Sequence, residues 1–202
     1  MNKKIKRIIK NVIFYLIVVF LLGYIYVDAI MPDKTIDVFG FKSYVVISNS
    51  MQPILNKDRD IIIIKRTNIE KIQVDDIISF YTYLPTTLLN DQNQTVFQKN
   101  VVTHYVGDII ELDGKLIFKT YGTSTPEGEF DPWKDENGQD VDITEDDLIG
   151  ELLIVIPYLG LVVTFFQSIH FIWFFLVVFN GVIIYVVIKL LKKGQGEKNV
   201  LG

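Results

Sequence analysis

With 202 residues, 50% of them apolar and 13% aromatic, the chain has material for one folded domain with anchors and hardly for two. The formal net charge is −4 and there is no cysteine. That composition carries no basic patch for nucleic acid, and it excludes disulfide bracing and cysteine-based metal binding.

The first predicted element is a membrane anchor. Val12 to Val27 is an unbroken apolar run, preceded by Lys3, Lys4, Lys6, Arg7 and Lys10. With Ile8 and Ile9 it approaches the roughly 20 residues that span a bilayer, and the Lys10 amine can extend to the interface. Val27-Asp28-Ala29 imitates a secretory cleavage site. The length of the apolar run and the aspartate favour a retained anchor. Residues 1–29 are therefore expected to form a basic cytoplasmic tail and a first transmembrane helix.

An outer domain is expected over 30–156. Tyr44 to Ile47, Asp60 to Lys65, Asp76 to Tyr83 and Leu152 to Ile156 read as strands, rich in β-branched and aromatic residues. Val96 to Val106 and Lys115 to Lys119 read as a hairpin turning at Asp113-Gly114. Thr120 to Asp147, rich in Gly, Pro and acidic residues, reads as a long loop, and long loops in compact domains are often functional. From Asp33 to Gly150 there are 21 acidic and 11 basic residues.

Residues 157–170 are apolar enough to lie in the membrane interface. Residues 171–188 are expected to form a second transmembrane helix, and 189–202 a basic tail. A single span over 152–166 is the alternative. Pro157 and Gly160 oppose it, and a third crossing would put the basic C-terminus outside. By the positive-inside tendency both termini are cytoplasmic and the middle faces outward.

Four kinds of side chain in the outer domain carry possible chemistry. Ser50 leaves a predicted strand in Ile47-Ser48-Asn49-Ser50-Met51-Gln52-Pro53. A serine hydroxyl attacks a carbonyl only with help from a base. Main-chain N–H groups at such a turn, with the Ser48 hydroxyl, can face a developing oxyanion. Read alone, Ser-Asn-Ser is equally ordinary turn chemistry. His104 is the only histidine of the outer domain, and alternation puts it on one face with Val102 and Val106. An imidazole there is either a satisfied core group or a general base. His170 opens the second apolar run and reads as an interface residue. A carboxylate able to orient His104 is offered by Glu127, Glu129 or Asp131, and Asp131 beside Pro132-Trp133 has the most restricted setting. Lys99 is a remote alternative base.

Taken together these residues resemble signal peptidase I, specifically its endoplasmic-reticulum and archaeal branch, also found in Gram-positive bacteria. Ser48-Asn49-Ser50-Met51-Gln52-Pro53 is similar to the S-x-S-M-x-P box. Arg59-Asp60-Ile61-Ile62 resembles the next box with arginine in place of glycine, and Asp76-Ile77-Ile78-Ser79-Phe80-Tyr81 the strand box after it. Val102-Thr103-His104 matches the histidine segment, and Phe118-Lys119-Thr120-Tyr121-Gly122 resembles the F-x-T-K-G box. Two departures stand out. Thr103-His104-Tyr105 replaces T-H-R, and Gly122-Thr123-Ser124-Thr125 replaces Gly-Asp-x-Asn, so the first acidic position is lost. Asp131-Pro132 best matches the second.

The resemblance implies a mainly β fold, an antiparallel-sheet extracytoplasmic domain between an N-terminal and a C-terminal transmembrane helix. It implies a serine endopeptidase that removes N-terminal signal peptides after small residues. Ser50 would be the nucleophile, His104 the base and Asp131 the acid, with the Ser50 N–H and Ser48 hydroxyl at the oxyanion. The partners would be signal peptides of secreted preproteins and the lipid bilayer, with room for association with the export machinery. No cofactor, metal or nucleic acid is expected. The alternative is a catalytically inactive homologue that binds signal peptides or assists surface-appendage assembly. A third reading is a plain double-anchored outer domain in which the serine motif is a chance match.

Overall fold

A computed structural model of the chain describes residues 3–89, 93–112 and 114–198. Its first element, α1 (Lys3–Ile30), buries no residue against the rest of the protein. Among the described residues it is the one helix long and apolar enough to cross a membrane. Its end is not a loose tether. The Tyr24 hydroxyl accepts a hydrogen bond from the Ser43 N–H at 3.0 Å, and its ring stacks on Phe41 at 5.5 Å. Thr35, fully buried, donates to Asp28 at 2.9 Å. The buried Lys42 ammonium donates to the Pro32 carbonyl at 2.7 Å and lies 3.6 Å from Asp28. A buried ammonium is tolerated only when it is paired in this way. The end of α1 and the strand that leads to Ser50 are thus tied together.

A short helix, α2 (Thr35–Phe39), ends at Gly40, whose φ of +76° is the left-handed cap that glycine adopts without a Cβ penalty. The chain turns there straight into β1 (Phe41–Val45), which begins and ends earlier than the expected Tyr44 to Ile47. The other strands are β2 (Ile61–Lys65), β3 (Ile77–Leu89), β4 (Thr95–Leu112), β5 (Lys115–Tyr121), β6 (Trp133–Lys134), β7 (Asp140–Val141), β8 (Ile143–Thr144) and β9 (Leu148–Ile156). They form one antiparallel sheet in the order β1-β2-β9-β3-β4-β5-β8, with β6 on β3 and β7 on β6.

The unbroken isoleucine run of β2 follows from its place. It lies between β1 and β9 and buries side chains on both faces, so alternation disappears. One core cluster gathers Met51, Leu55, Ile62 and Ile64; a second gathers Ile78, Phe80, Val106 and Phe118. The β4–β5 hairpin pairs Leu112 with Lys115, and Gly114 has φ +75°. Asp113, the other half of the expected turn, lies outside the described residues.

The expected loop from Thr120 to Asp147 contains β6, β7 and β8, and a 3-10 turn at Glu145–Asp147 closed by a capping box with Thr144. Two-residue strands carry no readable periodicity; β3 and β5 supply the ladder that orders them.

After β9 comes α3 (Leu159–Gln167), so a single span over 152–166 does not fit. Gly160 lies so close to the Arg59 backbone that a Cβ would sit 2.7 Å from the Arg59 carbonyl carbon. The last helix, α4 (Ile169–Lys198), contains an apolar stretch Trp173–Lys189, shorter than the roughly 20 residues of a clear crossing.

Candidate active site

Beyond β1 the chain makes a closed loop. The Val46 N–H donates to the Asp60 carbonyl at 3.0 Å, and the Asp58 N–H returns to Val46 at 2.7 Å. Met51 and Leu55 project from this loop into the first core cluster and are almost fully buried. Ser50 therefore sits on a turn whose next residue is a core plug. That rigidity is what a serine at a strand exit needs if it is to present its hydroxyl in one place.

Asp60 closes the loop from within. Its carboxylate is 1% exposed, takes a two-point contact from Arg59 at 2.8 and 3.2 Å, and accepts from the Asn56 N–H and side-chain amide. The Arg59 hydrogen bond, reinforced by Asn56 against the opposing effect of burial, holds the carboxyl well below the usual carboxylate range. Arg59 also lies 5.0 Å from the Tyr158 ring, and its carbonyl accepts from the Gly160 N–H. It ties the Ser50 loop to α3.

A group whose folded pKa is depressed contributes stability above its unfolded pKa and loses it as pH falls through the folded value. The Asp60 contribution is therefore fully present above pH 3.8, its ordinary value, and declines step by step below it until the depressed folded value is passed. We expect Asp60→Asn to lower stability at neutral pH by about 2 kcal/mol, because one charge-assisted network is removed and the partner arginine is half-exposed. The loss should shrink progressively as the pH falls below 3.8, because Asp60 takes up its proton only well below that value. Thermal unfolding at pH 7 and at pH 2.5 checks both statements.

His104 lies on β4 opposite Ile78, between Val102 and Val106, and is 5% exposed. Its Nε2 is 2.9 Å from the Ser50 Oγ, and its Nδ1 is 2.7 Å from Asp131 Oδ2. The Trp133 ring lies 5.4 Å from the imidazole and fixes its free face. Asp131 is held by its own N–H, which donates to the Thr120 carbonyl at 2.8 Å, and by the pairing of β6 with β3 just beyond it. Gly107 matters here. It interrupts the β4–β5 register, and a Cβ on it would strike the Phe130 ring at 2.5 Å. The missing side chain lets the Phe130-Asp131 segment settle against β4. Burial alone would raise the Asp131 carboxyl; the bonds from His104 and Thr125 outweigh it and leave the group below its ordinary value.

Ser48 Oγ is 3.1 Å from Ser50 Oγ. Among the described residues, the Ser50 N–H donates to no main-chain carbonyl. Hydroxyl, imidazole and carboxylate thus form one continuous line, with two hydrogen-bond donors near the hydroxyl. Such a line can take a proton from a serine as it attacks a carbonyl and can hold the resulting imidazolium.

The other candidates are not brought to this place. Lys99 is exposed, lies on the opposite face of β4 from His104, and sits 4.0 Å over the Tyr81 ring. Glu127 and Glu129 are exposed in the loop before Asp131. The sequence marked Gly122-Thr123-Ser124-Thr125 only as a departure from the resembled box and assigned these residues no role. A Cβ on Gly122 would lie 2.8 Å from the Ser50 carbonyl and 3.1 Å from His104 Cε1. Thr125 and Thr123 bond to Asp131 and to the Ser50 loop.

A groove of about 410 Å³ runs from Ser50 and His104 between the Val46–Ser48 segment and the Asn100–Val102 part of β4. Tyr44, Met51, Leu55 and Trp133 supply much of its apolar wall. Another hollow, of about 440 Å³, lies behind Asp131 beside Phe118 and Phe130; Ser50 and His104 take no part in it. Among the described residues no cluster of His, Asp and Glu is arranged to hold a metal.

No family model matches the chain. It is a distant homologue of Signal peptidase I W from Bacillus subtilis (strain 168), with 30% identity over 135 residues. The alignment covers 67% of this chain and 63% of that protein, so the chain spans less than two thirds of the relative's length.

Proposed function

We propose that this chain is a membrane-anchored serine endopeptidase of the signal peptidase I family, of the Ser–His branch, that removes N-terminal signal peptides from exported preproteins. One observation carries the reading: the unbroken Ser50–His104–Asp131 line opens onto an apolar groove in a homologue of Signal peptidase I W. In this account the extended substrate lies in the groove between the Val46–Ser48 segment and β4 and makes main-chain hydrogen bonds to them. Small residues before the cut enter the groove. Ser50 Oγ attacks the scissile carbonyl while His104 Nε2 takes its proton. The oxyanion meets the Ser50 N–H and the Ser48 hydroxyl. His104 then gives the proton to the leaving amine, and water repeats the sequence on the acyl-enzyme.

The same reading places the domain outside the membrane and both termini in the cytoplasm, with α1 as one crossing and α4 as a second. It follows from the charge asymmetry of the two ends. Exposed Leu161, Val162, Phe165 and Phe166 of α3 would then meet the interface. The test is cleavage of a preprotein by purified full-length protein in detergent. Wild type should release the mature N-terminus and Ser50→Ala should not. A wild-type protein that binds the preprotein but never cuts it would instead be the inactive, signal-peptide-binding homologue.

A further inference from the structure

We propose that Thr125 and Thr123 act as positioning residues, a two-threonine strap that fixes the Asp131 carboxylate and ties it to the Ser50 loop in place of the acidic residue missing at position 123. The inference rests on the proposed Ser50–His104–Asp131 mechanism and adds to it the residues that set its geometry.

The Thr125 hydroxyl has only one arrangement open to it. The Gly122 N–H donates to its oxygen at 2.9 Å, so that side of the oxygen is taken. Its proton must then go to Asp131 Oδ1, 2.6 Å away. Asp131 Oδ2 is left to His104 Nδ1. Asp131 Oδ1 is thus held by the Thr125 hydroxyl and Oδ2 by the imidazole N–H, with the Gly122 N–H a further donor beside the carboxylate. Rotation of the carboxylate would break both bonds at a site whose acid side chain is 16% exposed. A fixed acceptor at Nδ1 keeps the proton there and leaves Nε2 bare to accept from Ser50.

Thr123 holds the other end. Its N–H donates to the Ser50 carbonyl at 2.9 Å. Its hydroxyl lies 2.6 Å from the Gln52 carbonyl and 3.0 Å from that of Ser50. All three contacts run from a donor to main-chain oxygens of the turn that carries the hydroxyl. Two residues of one loop thus reach the acid and the nucleophile turn, with Gly122 between them too close to Ser50 to carry a side chain. The chemistry also explains why this position does not hold an acid here. A carboxylate at 123 would face the two carbonyl oxygens that the Thr123 hydroxyl now meets.

The experiment uses full-length protein in detergent and two readouts. One is kcat and KM on a preprotein. The other is the low-field proton resonance of a histidine Nδ1–H bonded to a carboxylate, which needs no substrate. Thr125→Val should lower kcat by about 10- to 100-fold with KM nearly unchanged, the cost of one hydrogen bond to a charged group. It should also weaken or abolish the low-field resonance, and Thr125→Ser should restore both. Thr123→Val should lower kcat by roughly 3- to 10-fold, the size of a neutral hydrogen bond. Thr123→Asp should lower it further, and Ser124→Ala, on the exposed side of the same loop, should match wild type. A Thr125→Val protein with wild-type kcat and an intact resonance overturns the inference. So does a Thr123→Asp protein as active as wild type, since position 123 would then be a dispensable acid site. A wild-type protein that shows the resonance but cuts nothing refutes the proposed function and leaves the strap standing on its spectrum.

Discussion

Replacing His104 with glutamine is expected to reduce preprotein cleavage by roughly 10⁴- to 10⁶-fold, the size of loss seen when a base that works as a unit with a serine is removed. Glutamine keeps a polar group in the slot between Asp131 and Ser50, so the sheet around it should hold. Its amide can accept a hydrogen bond but cannot take the proton. Lys99, the other candidate base, projects from the other face of β4, over Tyr81. Lys99→Met should therefore cleave normally. Rates measured for the two variants beside their thermal unfolding settle the point. A His104→Gln protein that still cuts, together with a Lys99→Met protein that does not, would move the base to Lys99.

The second large effect is expected at Asp131. An asparagine there is nearly the same shape, but it can present an N–H to His104 Nδ1, which carried the proton before. The imidazole then takes the other tautomer and presents a proton, where a lone pair is needed, to Ser50. The loss should be about 10³- to 10⁴-fold at neutral pH, with stability little changed. Glu127→Gln and Glu129→Gln should stay within about twofold of wild type, because isolated surface charges contribute little. Equal losses from all three substitutions would mean that the loop acts by its overall charge and that Asp131 has no special place.

Which parts of this molecule could be read from its sequence follows from the range of the interactions involved. The apolar first helix, the isoleucine strand β2 and the β4–β5 hairpin are written in local patterns, and each lies close to where those patterns put it. The short strands β6 to β8 are not, because their order comes from β3 and β5, distant in sequence. Position 59 gave a similar difficulty. Arginine in place of glycine read as a bare departure, whereas its guanidinium closes on Asp60 and its carbonyl anchors α3. Ser50 and His104 stood out by residue type and context, but a 2.9 Å contact across 54 residues is a property of the fold. Thr125 carried no signal by type. Only the position of its hydroxyl between Gly122 and Asp131 gives it a role.

The expected second membrane crossing shows the limit of pattern from the other side. The apolar run that looked long enough corresponds, among the described residues, to a 17-residue apolar stretch within α4. The first apolar helix is better defined because its end also packs. Tyr24 and Asp28 join it to the strand that leads into the Ser50 loop.

The most direct test of the central claim is to map the N-termini of exported proteins in cells that carry either the intact chain or the Ser50→Ala form. The account predicts a defined set of mature N-termini, each following a small residue, that revert to uncut preproteins when Ser50 is lost. Identical N-termini in the two cells, with both proteins present in the membrane at equal levels, would contradict it.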